Sequence, residues 1–97
     1  MERSAQTRAG GSRRVKLLYF AWVREKVGRG SEELELPEDV CTVADLVAWL
    51  KSQGAEYEAA FLRPQIVRAA IDKVHVKQDA EIGSAREIAF FPPVTGG

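Results

Sequence analysis

The stretch VKLLYFAWV, residues 15–23, is the longest apolar run in the sequence. Its β-branched and aromatic residues predict a β-strand. Lys16 interrupts the run, which is also much shorter than the roughly eighteen apolar residues of a membrane-spanning helix. We therefore expect a strand of a folded domain and no membrane partner.

The residues that follow predict a neighbouring strand. Residues 24–28 and Gly30 are suited to a turn. The segment SEELEL, residues 31–36, alternates glutamate with leucine, which is typical of a strand with one buried and one wet face. The acidic residues of 32–39 are expected on that wet face, since their spacing matches neither paired catalytic carboxylates nor a calcium loop. The two strands should form a hairpin that ends at Pro37.

The segment TVADLVAWL, residues 42–50, changes to helical periodicity. Its apolar residues fall at i, i+3, i+4 and i+7, which predicts an amphipathic helix. Thr42 can cap the start of this helix with Asp45 three residues later, and Gly54 is placed to follow its end. This segment is the main helix of the chain.

A second short helix and three strands complete the predicted order. Tyr57 and Phe61 repeat at i+4, and Pro64 must end this helix near Leu62 or Arg63. The predicted strands are Ile66–Ile71 and Val74–Lys77, joined by a tight turn at Asp72-Lys73, and Glu87–Phe91.

This order, β-β-α-(α)-β-β-β, indicates an α+β fold in which one main helix covers a mixed sheet of about five strands. It fits a β-grasp, the ubiquitin-like two-layer roll, over residues 15–91. The first and last strands are the most apolar, so we expect them side by side at the centre of the sheet.

Composition limits the function. A chain of 97 residues with 45% hydrophobic and 29% charged residues is suited to one soluble domain. A single cysteine and a single histidine cannot form an internal disulfide or a closed zinc site, so we expect no metal and a cytoplasmic location. From Val15 onward there are ten basic and thirteen acidic residues, a net charge of −3, which argues against a nucleic-acid partner.

Residues 1–14 contain four arginines and no apolar periodicity, which predicts a flexible N-terminal extension. The segment is short and not amphipathic, so a natural or engineered extension fits it better than a transit peptide. It also lacks the apolar centre of a secretory signal.

Residues 92–97, PPVTGG, are expected to form an extended tail. Two prolines favour an extended start, and two glycines can pass through a narrow channel. Six extended residues reach about 20 Å, and the only reactive group at the tip is the α-carboxylate of Gly97. A Gly-Gly end alone is common in idle termini. The aromatic pair and proline pair before it favour a function.

The ending IAFFPPVTGG, residues 88–97, resembles the C-terminal signature of molybdopterin synthase small subunits, the MoaD-type sulfur carriers of the ubiquitin-like ThiS/MoaD family. The segment KLLYFAWVREKVG, residues 16–28, resembles the first strand of that family and the turn after it. The similarity extends over about residues 15–97, with residues 42–50 in the place of the family helix.

The resemblance implies a non-catalytic, sulfur-donating subunit of a heterotetrameric synthase. An adenylating enzyme of the MoeB type would use ATP to activate Gly97, and a sulfur donor would convert it to a thiocarboxylate. The tail would then enter the large subunit, of the MoaE type, and pass sulfur to cyclic pyranopterin monophosphate to build the molybdopterin dithiolene. No tightly bound cofactor is implied. The residues implied to insert are Pro92, Pro93, Val94, Thr95 and Gly96.

The resemblance also matches Phe20, Phe91 and the position of His75 to a surface patch that contacts both partners. Arg24 matches the VRE segment of the family, where it would pair with acidic groups of a partner. Two departures stand out: His75 replaces a usual apolar residue, and residues 83–87, GSARE, replace an acidic turn.

Strand alternation supports this patch independently of the resemblance. Leu18 and Phe20 should face away from the helix, on the opposite side to their neighbours in the strand. Phe90 and Phe91 must likewise divide between the two faces. An exposed pair of Phe20 and Phe91 is suited to docking.

Simpler roles are available for several of these residues. His75 is expected to be a solvent-facing strand residue, and a contact at a partner interface is the second expectation. Arg24 could belong to an ordinary solvated turn. Cys41 has no partner for redox chemistry, and Trp22 and Trp49 are expected to cover apolar faces.

Three other functions share the same features. Sulfur carriers of the thiamine or cysteine pathways have the same fold and tail, and a ubiquitin-like modifier would join Gly97 to lysines. A plain binding module would use the sheet surface and leave the tail idle.

Overall fold

The computed structural model describes residues 13–93. The elements are β1 (Arg13–Tyr19), α1 (Ala21–Val27), β2 (Ser31–Leu36), α2 (Val43–Lys51), α3 (Ala55–Ala60), a 3₁₀ turn (Pro64–Ile66), β3 (Arg68–Ile71), β4 (Val74–Val76) and β5 (Glu87–Phe91). β1 begins two residues before the predicted strand, at Arg13. Most of the expected extension, residues 1–12, lies outside the described residues, as do residues 94–97 of the tail.

The five strands form one sheet in the order β2-β1-β5-β3-β4. β1 and β5 run parallel, in register from Lys16 opposite Glu87 to Tyr19 opposite Phe90. The other neighbouring strands are antiparallel. The expected β-grasp is confirmed, with the first and last strands paired at the centre of the sheet.

The core lies between one face of this sheet and the helices. Phe90 stacks on Tyr19 with ring centroids 6.3 Å apart, and the ring of Phe61 meets Phe90 edge-on at 5.0 Å. Aromatic pairs at these separations add to the free energy gained by burying the rings. The fully buried side chains of this core include Leu17, Tyr19, Leu36, Leu46, Leu50, Phe61, Ile88 and Phe90.

α2 confirms the predicted main helix. The backbone N–H of Asp45 donates to the Thr42 side chain, and the Asp45 carboxylate accepts from the backbone N–H of Thr42. This capping box satisfies donors that the helix start would otherwise leave unpaired. Backbone N–H groups of Cys41 and Thr42 lower the pKa of Asp45. The predicted position of Gly54 is wrong, because Ser52 caps the end of α2 and Gly54 precedes α3.

The segment after β1 differs from the prediction. Residues 21–23 were expected to continue the strand and residues 24–28 to form a turn, but Ala21–Val27 is a helix. Ala21 has a positive φ of 53°, which turns the chain out of the sheet. Val23 and Val27, four residues apart, are then both buried, and Gly28 ends the helix in the left-handed conformation.

The later elements follow the predicted order with shorter bounds. Pro64 begins the 3₁₀ turn, so β3 starts at Arg68 instead of Ile66. α3 ends at Ala60, just before the expected end. Asp72 and Lys73 both have positive φ, as a tight two-residue hairpin turn requires, which confirms the predicted turn.

Glu32 lies on the inner side of β2, a placement that corrects the expected wet face for this residue. Its carboxylate accepts hydrogen bonds from the hydroxyls of Tyr19 at 2.7 Å and Tyr57 at 2.6 Å, and from the Arg29 guanidinium at 2.9 Å. Glu33 and Glu35 point to solvent as predicted. One carboxylate therefore ties β2 to β1, α3 and the loop after α1.

The electrostatics of this cluster favour the charged carboxylate. Burial raises the pKa of Glu32, but hydrogen bonds from Tyr57, Tyr19 and Arg29 outweigh it, so the pKa is lowered overall. Burial and the hydrogen bond to Glu32 raise the pKa of Tyr57 to about 12. Burial raises the pKa of Tyr19 as well. Both tyrosines therefore stay protonated and donate throughout the neutral range.

Replacing Glu32 with glutamine removes the charged acceptor and keeps the side-chain shape. We expect the free energy of unfolding at neutral pH to fall by about 2 kcal/mol, since hydrogen bonds to charged groups are each worth about 1.5–3 kcal/mol. Because the pKa of Glu32 is lowered in the folded state, its contribution is present above the unfolded pKa of about 4.5 and is lost as the pH falls through the folded pKa.

Urea unfolding of wild type and Glu32→Gln at several pH values measures this effect. The difference in the free energy of unfolding between the two proteins should narrow on acidification to about pH 3. Glu58→Gln, on the exposed side of α3, is the matched control. Its free energy of unfolding should equal that of wild type at each pH. A gap between wild type and Glu32→Gln that is equal at neutral and acidic pH would contradict the assigned role.

Candidate functional site

The outer face of the sheet, away from the helices, holds the residues predicted to form a docking patch. The side chain of Phe20 is 48% exposed, directly after the end of β1. Phe91 is half-buried and His75 is exposed, with their ring centroids 5.1 Å apart. Because Tyr19 lies opposite Phe90 in parallel register, Phe20 and Phe91 continue that register side by side.

Strand alternation accounts for this arrangement. Leu17, Tyr19 and Phe90 fill the core, while Leu18 and Phe91 lie on the opposite face and are half-buried. The predicted division of the two faces is confirmed. We define the outer patch as Leu18, Phe20, His75, Ala89 and Phe91. Leu18 and Ala89 were not among the predicted site residues, although the same alternation could have found them.

The patch adjoins the root of the tail. β5 ends at Phe91, and the half-buried Pro92 and Pro93 follow it directly. The predicted insertion residues Val94, Thr95 and Gly96, and the predicted reacting residue Gly97, lie outside the described residues. The chain thus leaves the sheet beside the exposed Phe20 and the half-buried Phe91.

Arg24 lies beside the patch instead of within it. Its backbone N–H donates to the carbonyl of Phe20 at 3.4 Å, one helical turn away. Its guanidinium lies against Gly30, where a Cβ atom would stand 3.3 Å from the Arg24 Nε. Gly30 therefore leaves room for the arginine, which lines an open depression that also includes Arg29.

The described residues hold little chemistry of their own. No group of three histidine, cysteine or acidic residues within 13–93 could hold a metal ion. No helix in this part of the chain is long and apolar enough to cross a membrane. Cys41 is exposed, and its closest polar contact is the Glu38 carbonyl oxygen, 3.9 Å from Sγ. Trp22 and Trp49 pack against the core, as expected.

Comparison with known proteins identifies the family of this chain. The model of the ThiS family matches residues 17–97. The chain belongs to the ThiS family. A relative from Escherichia coli, named molybdopterin synthase sulfur carrier subunit, is 36% identical over 83 residues, which cover 86% of this chain and 99% of the relative.

Solved structures of similar fold agree with the ThiS assignment. A Pyrococcus furiosus protein described as putative molybdopterin converting factor, subunit 1, superposes with a TM-score of 0.66 and 30% identity over 84% of this chain and 98% of its own. SAMP1 from Haloferax volcanii gives a TM-score of 0.63 at 19% identity, covering 87% of this chain and 99% of its own. This second likeness concerns the fold alone.

The division of the two phenylalanines can be tested by stability. Phe90→Ala should lower the free energy of unfolding by about 3–5 kcal/mol, because it leaves a cavity between Tyr19 and Phe61. Phe91→Ala should cost about 1 kcal/mol, since the ring already contacts solvent. Urea unfolding of both variants measures the difference. Equal losses would show that the two faces of β5 are assigned wrongly.

Proposed function

We propose that this chain is the sulfur-carrier subunit of a molybdopterin synthase, with Gly97 as the residue that carries the sulfur. Support comes from the match to the ThiS family through residue 97 and from the relatives named as sulfur carrier subunits of that enzyme. The observation that carries the proposal is the position of the outer patch at the end of β5, where the tail departs.

The chemistry at Gly97 proceeds by two displacements. In an adenylating partner, a carboxylate oxygen of Gly97 attacks the α-phosphorus of ATP and pyrophosphate leaves. Sulfide then attacks the acyl carbon, AMP departs with the oxygen, and the proton of the sulfide is released to water. The net change replaces one oxygen of Gly97 with sulfur. The large subunit next receives the tail and directs the thiocarboxylate sulfur to cyclic pyranopterin monophosphate, from which the dithiolene of molybdopterin is built.

The residues of this chain supply position and reach for these reactions. Phe20 and Phe91 would dock on each partner in turn, because burying exposed aromatic rings favours association. Pro92 and Pro93 hold the start of the tail extended. The four residues beyond Pro93 span about 13 Å when extended, which suits an active site set below a partner's surface. The proposal places the protein in the cytoplasm, where thiols stay reduced.

Mass spectrometry tests the proposed modification directly. The protein is incubated with an adenylating enzyme of this type, ATP and a sulfide source. We expect a mass increase equal to the difference between sulfur and oxygen, located at Gly97 by peptide fragmentation. Cys41→Ser should gain the same mass, because Cys41 takes no part. A variant with one residue added after Gly97 should gain none. An unmodified Gly97, under conditions that thiolate a known carrier, would exclude the proposal.

The other carrier and modifier functions predict different outcomes with the same protein. Stable binding to a thiazole synthase instead of a molybdopterin synthase large subunit would indicate a thiamine-pathway carrier. Covalent conjugates that survive a denaturing gel and disappear on deletion of residues 96–97 would indicate a protein modifier. Full activity of the variant extended beyond Gly97 would indicate a binding module with an idle tail.

The docking role of the outer patch has its own test. Phe20→Ser should weaken binding to the large subunit by about tenfold or more, because buried aromatic anchors dominate interface energies. Val74→Ser is the matched control, since this side chain is 63% exposed but sits at the far end of the sheet. Isothermal titration calorimetry with each variant measures the affinities. Equal affinities for the two variants would exclude Phe20 from the interface.

A further inference from the structure

Two cationic side chains lie next to each other at the edge of the outer face. Arg68 begins β3 and Lys77 follows β4, so they flank the paired residues Ala69 and Val76 on the two antiparallel strands. Both are exposed, and together with His75 they line one shallow surface depression. Arg68 is also opposite Phe91 of β5. The cationic pair therefore extends the outer patch from Phe91, next to the start of the tail, toward β4.

This arrangement works against the stability of the sheet. Like charges opposite each other on neighbouring strands are destabilising. Within residues 13–93, neither Arg68 nor Lys77 takes part in a salt bridge. Asp72 and Glu87 lie at the other end of these strands, where the Asp72 side chain accepts from backbone N–H groups. Asp79, two residues after Lys77, forms no salt bridge with it.

In the other half of the same sheet, side chains of opposite charge lie across neighbouring strands. On β1 and β2, Arg14 lies 3.6 Å from Glu33 and 3.3 Å from Glu35. There Arg14 has two acidic neighbours across the strands. The β3–β4 edge instead presents two cations in a body that is otherwise mildly acidic, with a net charge of −3 from Val15 onward.

We propose that Arg68 and Lys77 form a cationic strip that docks aspartate or glutamate side chains of the protein that receives the tail. This inference rests on the proposed function and adds a partner chemistry to it. A protein surface fits the strip better than a free nucleotide or phosphate, because the strip is open and is continuous with the apolar outer patch. Only another protein surface covers both together.

The strip would act mainly on association and orientation. Exposed charges steer a partner of opposite sign and fix its register, while apolar contacts supply more of the affinity. The strip lies on one side of the tail root, with Phe20 on the other side of Phe91. A partner held on both sides would have its active-site entrance aligned with Pro92.

The test measures binding of full-length protein to the large subunit and, separately, to the adenylating enzyme. Arg68→Glu/Lys77→Glu should weaken binding to the large subunit, which receives the tail, by about tenfold at low salt, and mainly through the association rate. The loss of affinity should shrink as the ionic strength rises toward about 1 M, where the Debye length is only about 3 Å. Surface plasmon resonance gives both rates.

Two further variants separate docking from folding and from overall charge. Arg68→Gln/Lys77→Gln should bind more weakly than wild type yet be no less stable in urea, because it removes the like-charge pair. Lys73→Glu/Arg86→Glu carries the same change in charge at the opposite end of the sheet and should bind as wild type does.

The outcomes distinguish failure of this inference from failure of the proposed sulfur-carrier function. If Gly97 is thiolated and Arg68→Glu/Lys77→Glu binds the large subunit as wild type does, the strip has no docking role and the carrier function stands. Equal weakening by the strip and control variants would also overturn the inference, as would an effect independent of salt. If wild type binds neither partner and Gly97 is never thiolated, the proposed function fails and the inference fails with it.

Discussion

The parallel pairing of β1 with β5 is the interaction on which the rest of the structure depends. It joins residues about seventy positions apart in the chain, from Lys16 opposite Glu87 to Tyr19 opposite Phe90. Because the strands run in the same direction, the end of β1 and the end of β5 lie at one edge of the sheet. That edge holds both the exposed Phe20 and the start of the tail at Pro92. The exposed Phe20 and the start of the tail are therefore placed together by backbone hydrogen bonding.

The two-residue period of a strand gives neighbouring residues opposite roles. Phe90 contributes to the core against Tyr19 and Phe61, whereas Phe91 contacts His75 on the outer face. The same type of side chain therefore stabilises the core at position 90, and we propose that it serves recognition at position 91. A slip of one residue in the pairing of β5 would exchange these roles, so the buried Phe90 also secures the register that exposes Phe91.

The charged groups follow a similar division between the two faces. On the inner side, Glu32 is surrounded by three donors and links β2 to α3 through Tyr57. On the outer side, Arg68 and Lys77 lie together and form no salt bridge among the described residues. A half-buried carboxylate with its hydrogen bonds satisfied stabilises the fold, because its charge keeps those hydrogen bonds. An exposed pair of like charges costs stability, and we relate that cost to a partner of opposite charge.

The sequence alone determined the features that depend on local pattern. The helical spacing of residues 42–50 with its Thr42–Asp45 cap, the alternation in β1 and β5, and the tight turn at Asp72-Lys73 all rest on neighbours close in the chain. The family resemblance was likewise carried by contiguous motifs at the two ends of the domain. These patterns were sufficient to predict the β-grasp and the outer patch of Phe20, His75 and Phe91.

Only the tertiary structure decided features that depend on residues far apart in sequence. Residues 21–23 end an apolar run with the composition of a strand, but Ala21–Val27 forms a helix, because β1 has already ended and Val23 and Val27 both reach the core. Glu32 turns inward because Tyr19 and Tyr57 offer it hydrogen bonds from two other elements. Lys77 becomes a neighbour of Arg68 only through the pairing of β3 with β4. Local propensity specifies elements, whereas burial and cross-strand pairing specify what those elements place side by side.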